Sequence, residues 1–224
     1  MVAGRRACHL PVHPSACLLW VRRLLRCVLI GVRRRLRMGP RVTATHAIEP
    51  TFRPATEDDA LCISVLAAQV FVDTYATHGI REAIARHVTE ELSVSATAAS
   101  IANSDHRFIV AEIAHHLVGF VQVRLRAESS AVSSSNAVEV AHLYVLERFA
   151  SRGVGTSLLA RAEALAAAQG AQHIWLTTWI GNTRALAFYP RRGYTEYGPA
   201  TYVFQGESVE NRLFVKALTV GVAP

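Results

Sequence analysis

The sequence predicts one α/β (α+β) domain built on a mixed β-sheet, and three observations support that fold class. The 224 residues suffice for one well-buried core and are few for two. Hydrophobic residues make up 51% of the chain and charged residues 18%, which is typical of a globular protein. After residue 50, strand-like patterns flank helix-like patterns throughout, so sheet and helices belong to the same layered domain.

The first 46 residues differ from the rest in charge. They hold ten arginines and no acid, which leaves 14 basic residues against 17 acids elsewhere, so the net charge of +7 belongs to this segment. Residues 17–37 separate arginines from apolar residues on a helical wheel, as in helices that lie on anionic membranes. A disordered extension, or one that stems from a misplaced translation start, is the favoured alternative to membrane contact. We therefore predict a basic extension over 1–49, a domain over 50–224 and no nucleic-acid partner.

Cysteine usage indicates a cytoplasmic protein without disulfides. Cys62 is the one cysteine of the predicted domain, so it has no partner there for an internal bridge. In the extension, Cys8, His9, His13 and Cys17 follow no common zinc spacing, so no metal is expected.

The first part of the domain is predicted to contain a strand, two helices and a hairpin. Thr56 and the acids after it form a capping sequence ahead of an apolar run, which predicts the first helix. Two apolar strand-like runs flank Ala114–His116, which predicts a hairpin turn. In order, the predicted elements are a strand at Thr51–Pro54, helices at 60–72 and about 81–103, strands at 106–113 and 117–126, and a loop at 127–135.

The second part is predicted to alternate strands and helices before a final pair of strands. A stripe of leucines and alanines at helical spacing predicts a long helix, and Gly170 supplies its C-terminal stop. Asn182 is a suitable N-cap for a short second helix. The predicted elements are strands at 137–146, 172–179, 194–204 and 211–218, and helices at 153–169 and 182–189.

The segment Arg152-Gly153-Val154-Gly155-Thr156 lies between a predicted strand and a predicted helix. Missing side chains let the backbone approach a ligand, and the first N–H groups of the helix favour an anion such as a pyrophosphate. A tight structural connection is the alternative. A dinucleotide fold is excluded because Leu158 stands where its third glycine would be, and no Walker Gly-Lys-Ser/Thr is present.

A second motif follows 29 residues after Gly153, and the two motifs together carry a family resemblance. It runs Asn182-x-x-Ala185-x-x-Phe188-Tyr189 and continues to Gly193-Tyr194. Together with His142-Leu143-Tyr144-Val145 and the glycine segment, it resembles the GCN5-related N-acetyltransferase (GNAT) superfamily. In pattern it is nearest to bacterial acetyltransferases of polyamines and similar small amines.

The resemblance implies a fold and a set of binding residues. The sheet is expected to have six to seven mostly antiparallel strands, flanked by about four helices and splayed at a bulged fourth strand. Acetyl-CoA is the implied co-substrate. Its pantetheine arm is expected to pair with Leu143, Tyr144 and Val145, its pyrophosphate to bind Ser151, Arg152, Gly153, Val154, Gly155 and Thr156, and its thioester to lie near Asn182 and Tyr189.

Two positions depart from the family pattern. Ala150 and Ser151 replace its usual side chains ahead of the first glycine, so one phosphate contact is expected to be missing unless Arg148 or Arg152 compensates. Pro190 is expected to end the last helix at Tyr189.

Acetyl transfer to an amine requires loss of an amine proton, a donor to the developing oxyanion and a proton for the leaving thiolate. Tyr189 is our candidate for the third role. Glu139 is the candidate base, with a solvated strand carboxylate as the equal alternative, and His142 is a weaker candidate expected on the opposite face of the sheet. Backbone N–H groups of the bulged strand are the candidate donors.

The acceptor is predicted to be a small cationic amine, favoured by Asp73, Glu82, Glu90 and Glu91, with His78 and His87 as further candidates for the same cleft. Peptide or protein amines remain open as acceptors, as does a non-catalytic acyl-CoA-binding module. The sequence also leaves a homodimer open.

Overall fold

The computed structural model describes residues 49–127 and 136–218. Residues 1–48 of the predicted basic extension and residues 128–135 of the predicted loop lie outside these ranges. Within them, no helix has the length and apolar character needed to cross a membrane.

The described residues form seven strands and five α-helices, with short 3₁₀ turns at Glu57–Asp59, Glu147–Phe149 and Pro190–Arg192. The strands are β1 (Thr51–Pro54), β2 (His106–Ile113), β3 (His116–Arg124), β4 (Ala137–Val145), β5 (His173–Trp179), β6 (Thr195–Phe204) and β7 (Glu207–Ala217). The helices are α1 (Ala60–Tyr75), α2 (Glu82–Glu90), α3 (Val94–Ala102), α4 (Val154–Ala168) and α5 (Thr183–Phe188).

Two element predictions were wrong in detail. The helix predicted at about 81–103 is two helices, because Ser93 begins α3 as an N-cap whose hydroxyl accepts a hydrogen bond from the N–H of Ala96. The last strand starts at Glu207 rather than Asn211. Gln205 and Gly206, with φ of 47° and 82°, form a tight turn that joins β6 directly to β7.

The seven strands form one sheet in the order β1-β2-β3-β4-β5-β7-β6. Only the β4–β5 pair is parallel, so the prediction of a mixed, mostly antiparallel sheet is confirmed. Helix α4 covers one face with Leu158, Leu159 and Ala162. Helices α1 and α2 contribute Phe71, Ile84 and other apolar residues to a second core. Both faces of the sheet are therefore partly covered by helices, as a layered domain requires.

Strand β4 is bulged and separates from β5, as predicted. Gln122 of β3 pairs with His142 and Val123 pairs with Val140, so Ala141 is an extra residue without a partner on β3. Strand β5 pairs with β4 only through Ala137–Glu139. Beyond Glu139 the two strands diverge and leave an opening in the sheet.

Strands β3 and β4 approach each other closely beside this opening. A Cβ atom on Gly119 would lie 2.8 Å from the carbonyl oxygen of Tyr144. A glycine at position 119 is therefore needed to keep the outer part of β4 paired with β3.

Candidate active site

A cavity of about 310 Å³ lies at the opening between β4 and β5. Its walls include residues 139–144 of β4 and Thr177–Trp179 of β5, together with Asn182, Ala185 and Tyr189 around α5. On its other side lie residues of α1, α2, β6 and β7. The cavity wall thus includes part of the His142–Val145 segment and of the Asn182–Tyr189 motif, while residues 151–156 of the glycine segment lie outside it. Concave sites of this kind are where small molecules usually bind.

Helix α4 begins close to Val145, at the end of β4, with free backbone N–H groups. Gly153, at φ 83°, is its N-cap residue, and no side chain caps the helix. The first bond of the helix runs from the N–H of Ser157 to the carbonyl of Gly153, which leaves the N–H groups of residues 154–156 without a partner among the described residues. Such groups, with the positive end of the helix dipole, favour an anion.

An arginine that the sequence analysis did not single out contacts this loop. Arg184 of α5 donates to a carboxylate oxygen of Glu147 at 2.6 Å and to the hydroxyl of Ser151 at 3.4 Å. The guanidinium groups of Arg148 and Arg152 lie over the Phe149 ring, 5.2 and 5.6 Å from its centroid. Arg184 stands inside the Asn-x-x-Ala motif, so its place next to the glycine loop follows from the way the two motifs meet.

The outer part of β4 carries the predicted pantetheine residues. Leu143, Tyr144 and Val145 pair with β3 on one side. On the side that faces β5, their backbone groups have no strand partner among the described residues. This free edge could accept an extended, amide-containing ligand as an added strand.

Tyr189 lies against the cavity and is held firmly. It is 8% exposed, and its ring packs at 5.3 to 5.7 Å from the rings of Phe188, Tyr194 and Phe214. Burial raises the pKa of its phenol well above the usual value, so the hydroxyl keeps its proton. Helix α5 ends at Phe188, and Pro190 begins a 3₁₀ turn, in keeping with the predicted stop.

Asn182 is the N-cap of α5, which confirms that prediction. Its Oδ1 accepts a hydrogen bond from the N–H of Ala185 at 3.0 Å. Because the cap occupies the amide oxygen, the Nδ2 group is the part of Asn182 that remains for a ligand in the cavity it lines.

Glu139 lies in the cavity wall and forms an ion pair with Arg124. Its carboxylate accepts a hydrogen bond from the Arg124 guanidinium at 3.3 Å. The expectation that His142 faces the other side of the sheet was wrong. The extra residue Ala141 reverses the alternation of β4, and Glu139 and His142 therefore line the same cavity.

A chain of hydrogen bonds holds His142 in place. Its Nδ1 lies 2.7 Å from Oε1 of Gln122, and the Gln122 amide donates to the hydroxyl of Ser100 at 3.0 Å. That hydroxyl lies 2.8 Å from Nδ1 of His106. Burial lowers the pKa of His142 to about 3, so its imidazole is neutral near pH 7.

The residues predicted to favour a cationic acceptor are mostly elsewhere. Asp73, Glu82, Glu90, Glu91 and His78 are exposed and do not line the cavity, whereas His87 is buried and does. Further cavity residues that the sequence did not reveal are Arg81, Trp179, Tyr202, Phe204 and Asn211. They come from separate segments without a shared motif, so no sequence pattern marks them.

Metal-binding residues are not grouped in the part of the chain that the structure describes. Among residues 49–127 and 136–218, no three His, Cys, Asp or Glu side chains come together as a metal site would require.

Solved structures define the class of protein to which this fold and site correspond. PaiA N-acetyltransferase from Thermoplasma acidophilum, solved with coenzyme A, superimposes with a TM-score of 0.61 at 20% identity over 75% of this chain and 99% of its own. The yncA protein of Salmonella typhimurium, solved with its cofactor acetyl-CoA, gives 0.56 at 18% identity over 79% and 98% of the two chains. At these identities the likeness establishes the fold, which is that of N-acetyltransferases.

Sequence comparison then gives the family. An uncharacterized N-acetyltransferase from Lactobacillus delbrueckii subsp. lactis is 22% identical over 163 residues, covering 73% of this chain and 94% of its own. The profile of the acetyltransferase (GNAT) family matches residues 75–194, more than half of the chain. The protein belongs to the GNAT family of acetyltransferases, and the family resemblance drawn from the two motifs is confirmed.

Proposed function

We propose that this acetyltransferase moves the acetyl group of acetyl-CoA to a primary amine of a small cationic molecule, by direct attack in a ternary complex. One observation carries the proposal: Tyr189 and Glu139 line the same cavity as the free edge of β4. A donor for the leaving group, a base and a strand edge for the co-substrate thus surround one space. Complexes of PaiA with coenzyme A and of yncA with acetyl-CoA support the choice of co-substrate.

The described residues fit such a co-substrate. The uncapped N–H groups of residues 154–156 suit a diphosphate, with the Arg184 guanidinium close by at Ser151. The edge of β4 at Leu143–Val145 suits the amides of the pantetheine arm. When bound, acetyl-CoA supplies a thioester carbonyl that an amine can attack.

Each protein group then has one task. Glu139 accepts, directly or through water, the proton that the amine loses as the new C–N bond forms. Backbone N–H groups of the bulged strand stabilise the charge that develops on the carbonyl oxygen. As the C–S bond breaks, the Tyr189 hydroxyl donates a hydrogen bond to sulfur. Because the pKa of Tyr189 is raised, it remains a donor at every pH at which the protein works.

The test is turnover of acetyl-CoA with polyamines, monoamines, amino acids, aminoglycosides and peptide N-termini, followed by release of free thiol and by the mass of the product. We expect one N-acetylated amine and one thiol per turnover. Coenzyme A binding without turnover on the whole panel would instead identify an acyl-CoA-binding module. Preferred acetylation of peptides would replace the small-molecule acceptor.

Membrane contact by residues 1–49 and a homodimer stay open alternatives, and a cytoplasmic location stays a prediction. The intact mass of the native protein tests the first of them, because a chain that begins at Met38 lacks the arginine-rich segment.

A further inference from the structure

Part of the cavity wall is made of aromatic rings. We call Phe71, Tyr75, His87, Trp179 and Phe204 the aromatic wall; all five line the cavity. Their rings form a continuous chain, with centroids 5.6 Å apart for Tyr75 and Trp179, 4.6 Å for Phe71 and Tyr75, and 4.3 Å for Phe71 and His87. Phe204 packs on both Phe71 and His87. This wall joins α1, α2, β5 and β6 around one apolar surface.

The charges in the cavity wall do not suit a polycation. The charged lining residues are Arg81, Arg124 and Glu139, and Glu139 is already paired with Arg124. Burial lowers the pKa of His87 and of His142, so neither ring adds a charge of either sign near neutral pH. Arg81 is likewise ion-paired, with Glu207, so every charged residue of the cavity wall already has a partner and a second ammonium group on the acceptor would find no free carboxylate there, which is unfavourable.

One residue of the cavity wall carries a buried polar atom without a partner among the described residues. Asn211 of β7 lines the cavity and is 7% exposed. Its Nδ2 donates to the hydroxyl of Thr177 at 3.3 Å, and its Oδ1 is buried and has no hydrogen-bond partner in the described ranges. Buried acceptors are almost always satisfied in proteins, so an unpartnered one on a side chain of the cavity wall points to a ligand that brings a donor.

We infer that the acceptor is a primary amine on a single aromatic ring system, whose ring packs on the aromatic wall and whose N–H donates to Oδ1 of Asn211. The inference rests on the proposed acetyl transfer and narrows its acceptor to aralkylamines of one positive charge. The cavity volume of about 310 Å³ is at the lower end for small-molecule sites, and the aromatic wall is the feature that favours a ring.

The acceptor class is tested with 2-phenylethylamine, 2-cyclohexylethylamine, putrescine and spermidine as alternative substrates. We expect kcat/KM to be highest for 2-phenylethylamine, about five- to tenfold above its cyclohexyl analogue, because aromatic pairs gain energy beyond buried area. Equal values for the two rings, or a higher value for either polyamine, would overturn the inference and leave acetyl transfer intact.

Calorimetric binding of 2-phenylethylamine to the protein with bound coenzyme A separates the two claims. Binding without turnover would support the aromatic subsite while refuting the proposed reaction. Absence of both binding and turnover would overturn the subsite as well.

Two variants test the named contacts. Asn211→Leu should raise the KM for 2-phenylethylamine about tenfold, leave the KM for acetyl-CoA unchanged and not lower the unfolding midpoint, since it removes a buried unpaired acceptor. An unchanged amine KM would overturn the contact. Phe204→Leu, in the aromatic wall and 7% exposed, should reduce the preference for phenyl over cyclohexyl. Phe108→Leu is its matched control, because Phe108 is 8% exposed in the same apolar core and outside the cavity wall.

Discussion

The two ends of the cavity are built in different ways. The end that we assign to acetyl-CoA is made of the β4 edge, the start of α4 and helix α5, all within residues 143–189. It offers a ligand mainly backbone groups: a strand edge and helix N–H groups. The opposite end collects side chains from α1, α2, β5, β6 and β7.

The difference separates what a family shares from what one member does. Backbone groups recognise a constant ligand and need only glycines and a bulge at the right spacing. Side chains from distant segments can change one at a time without disturbing that frame. Substitutions at one end should therefore change the kinetics for acetyl-CoA, and substitutions at the other end the kinetics for the amine. The following variants test this division.

The largest effect is expected where the two ends meet. Tyr189→Phe should lower kcat about a hundredfold with little change in either KM, because only the hydroxyl that serves the leaving sulfur is lost. Tyr194→Phe is the matched control, since Tyr194 is buried, contacts the Tyr189 ring and lies outside the cavity wall. Equal steady-state rates for Tyr189→Phe and the native protein would exclude the proposed role of the Tyr189 hydroxyl at the leaving sulfur.

The next effect concerns the proposed base. Glu139→Gln should lower kcat/KM for the amine about thirtyfold at pH 7, and the defect should shrink as pH approaches about 10, where the free amine has lost its proton. Glu163→Gln is the control, because its side chain is 19% exposed and ion-paired, against 18% for Glu139. A defect that stays constant from pH 7 to 10 would indicate a structural role for the carboxylate.

A smaller effect, confined to acetyl-CoA, is expected at the glycine loop. Gly153→Ala and Gly206→Ala place a side chain at φ 83° and 82°, and neither new Cβ would contact the protein. Each should lose about 1–2 kcal/mol of stability from backbone strain. Only Gly153→Ala should also raise the KM for acetyl-CoA, by about tenfold, because its Cβ would occupy the approach to the helix start. Equal KM values for acetyl-CoA in the two variants would show that the phosphate groups bind elsewhere.

The smallest effect should fall on the amine alone. A Cβ on Gly181 would lie 2.3 Å from the Trp179 ring, so Gly181→Ala must displace that ring from its contact with Tyr75. We expect about a threefold rise in the amine KM and no change in the KM for acetyl-CoA, as befits the partial loss of one ring contact. An effect on acetyl-CoA instead would place Trp179 at the other end of the cavity.

The same division explains what the sequence could predict. The glycine loop and the capping role of Asn182 are local or depend on fixed spacing, the splay at β4 was implied by the family resemblance, and the structure has all three where predicted. Whether the residues at this end bind acetyl-CoA stays a prediction. Asn211 and Phe204 gave no signal, because strand pairing and packing over long distances along the chain bring them to the cavity.

The face on which His142 lies could not be read from residue types. Strict alternation puts Glu139 and His142 on opposite faces, and one extra residue in β4 brings them together. Apolar periodicity does not mark a single inserted alanine. The helix break at Ser93 was similarly hidden, since alanines and other helix-compatible residues continue on both sides of its cap.

The extra residue Ala141 also indicates which sequence changes strand β4 can accept. Ala141 matters because it is an extra residue in the strand and not because of its methyl group. Substitution by other small residues at position 141 should therefore be tolerated. Removal of that single codon would place His142 directly after Val140 and opposite Gln122 in a regular ladder, so His142 would still face the cavity but the bend that the bulge gives to β4 would be lost. Strand β4 should thus tolerate substitution at position 141 but not deletion of that residue.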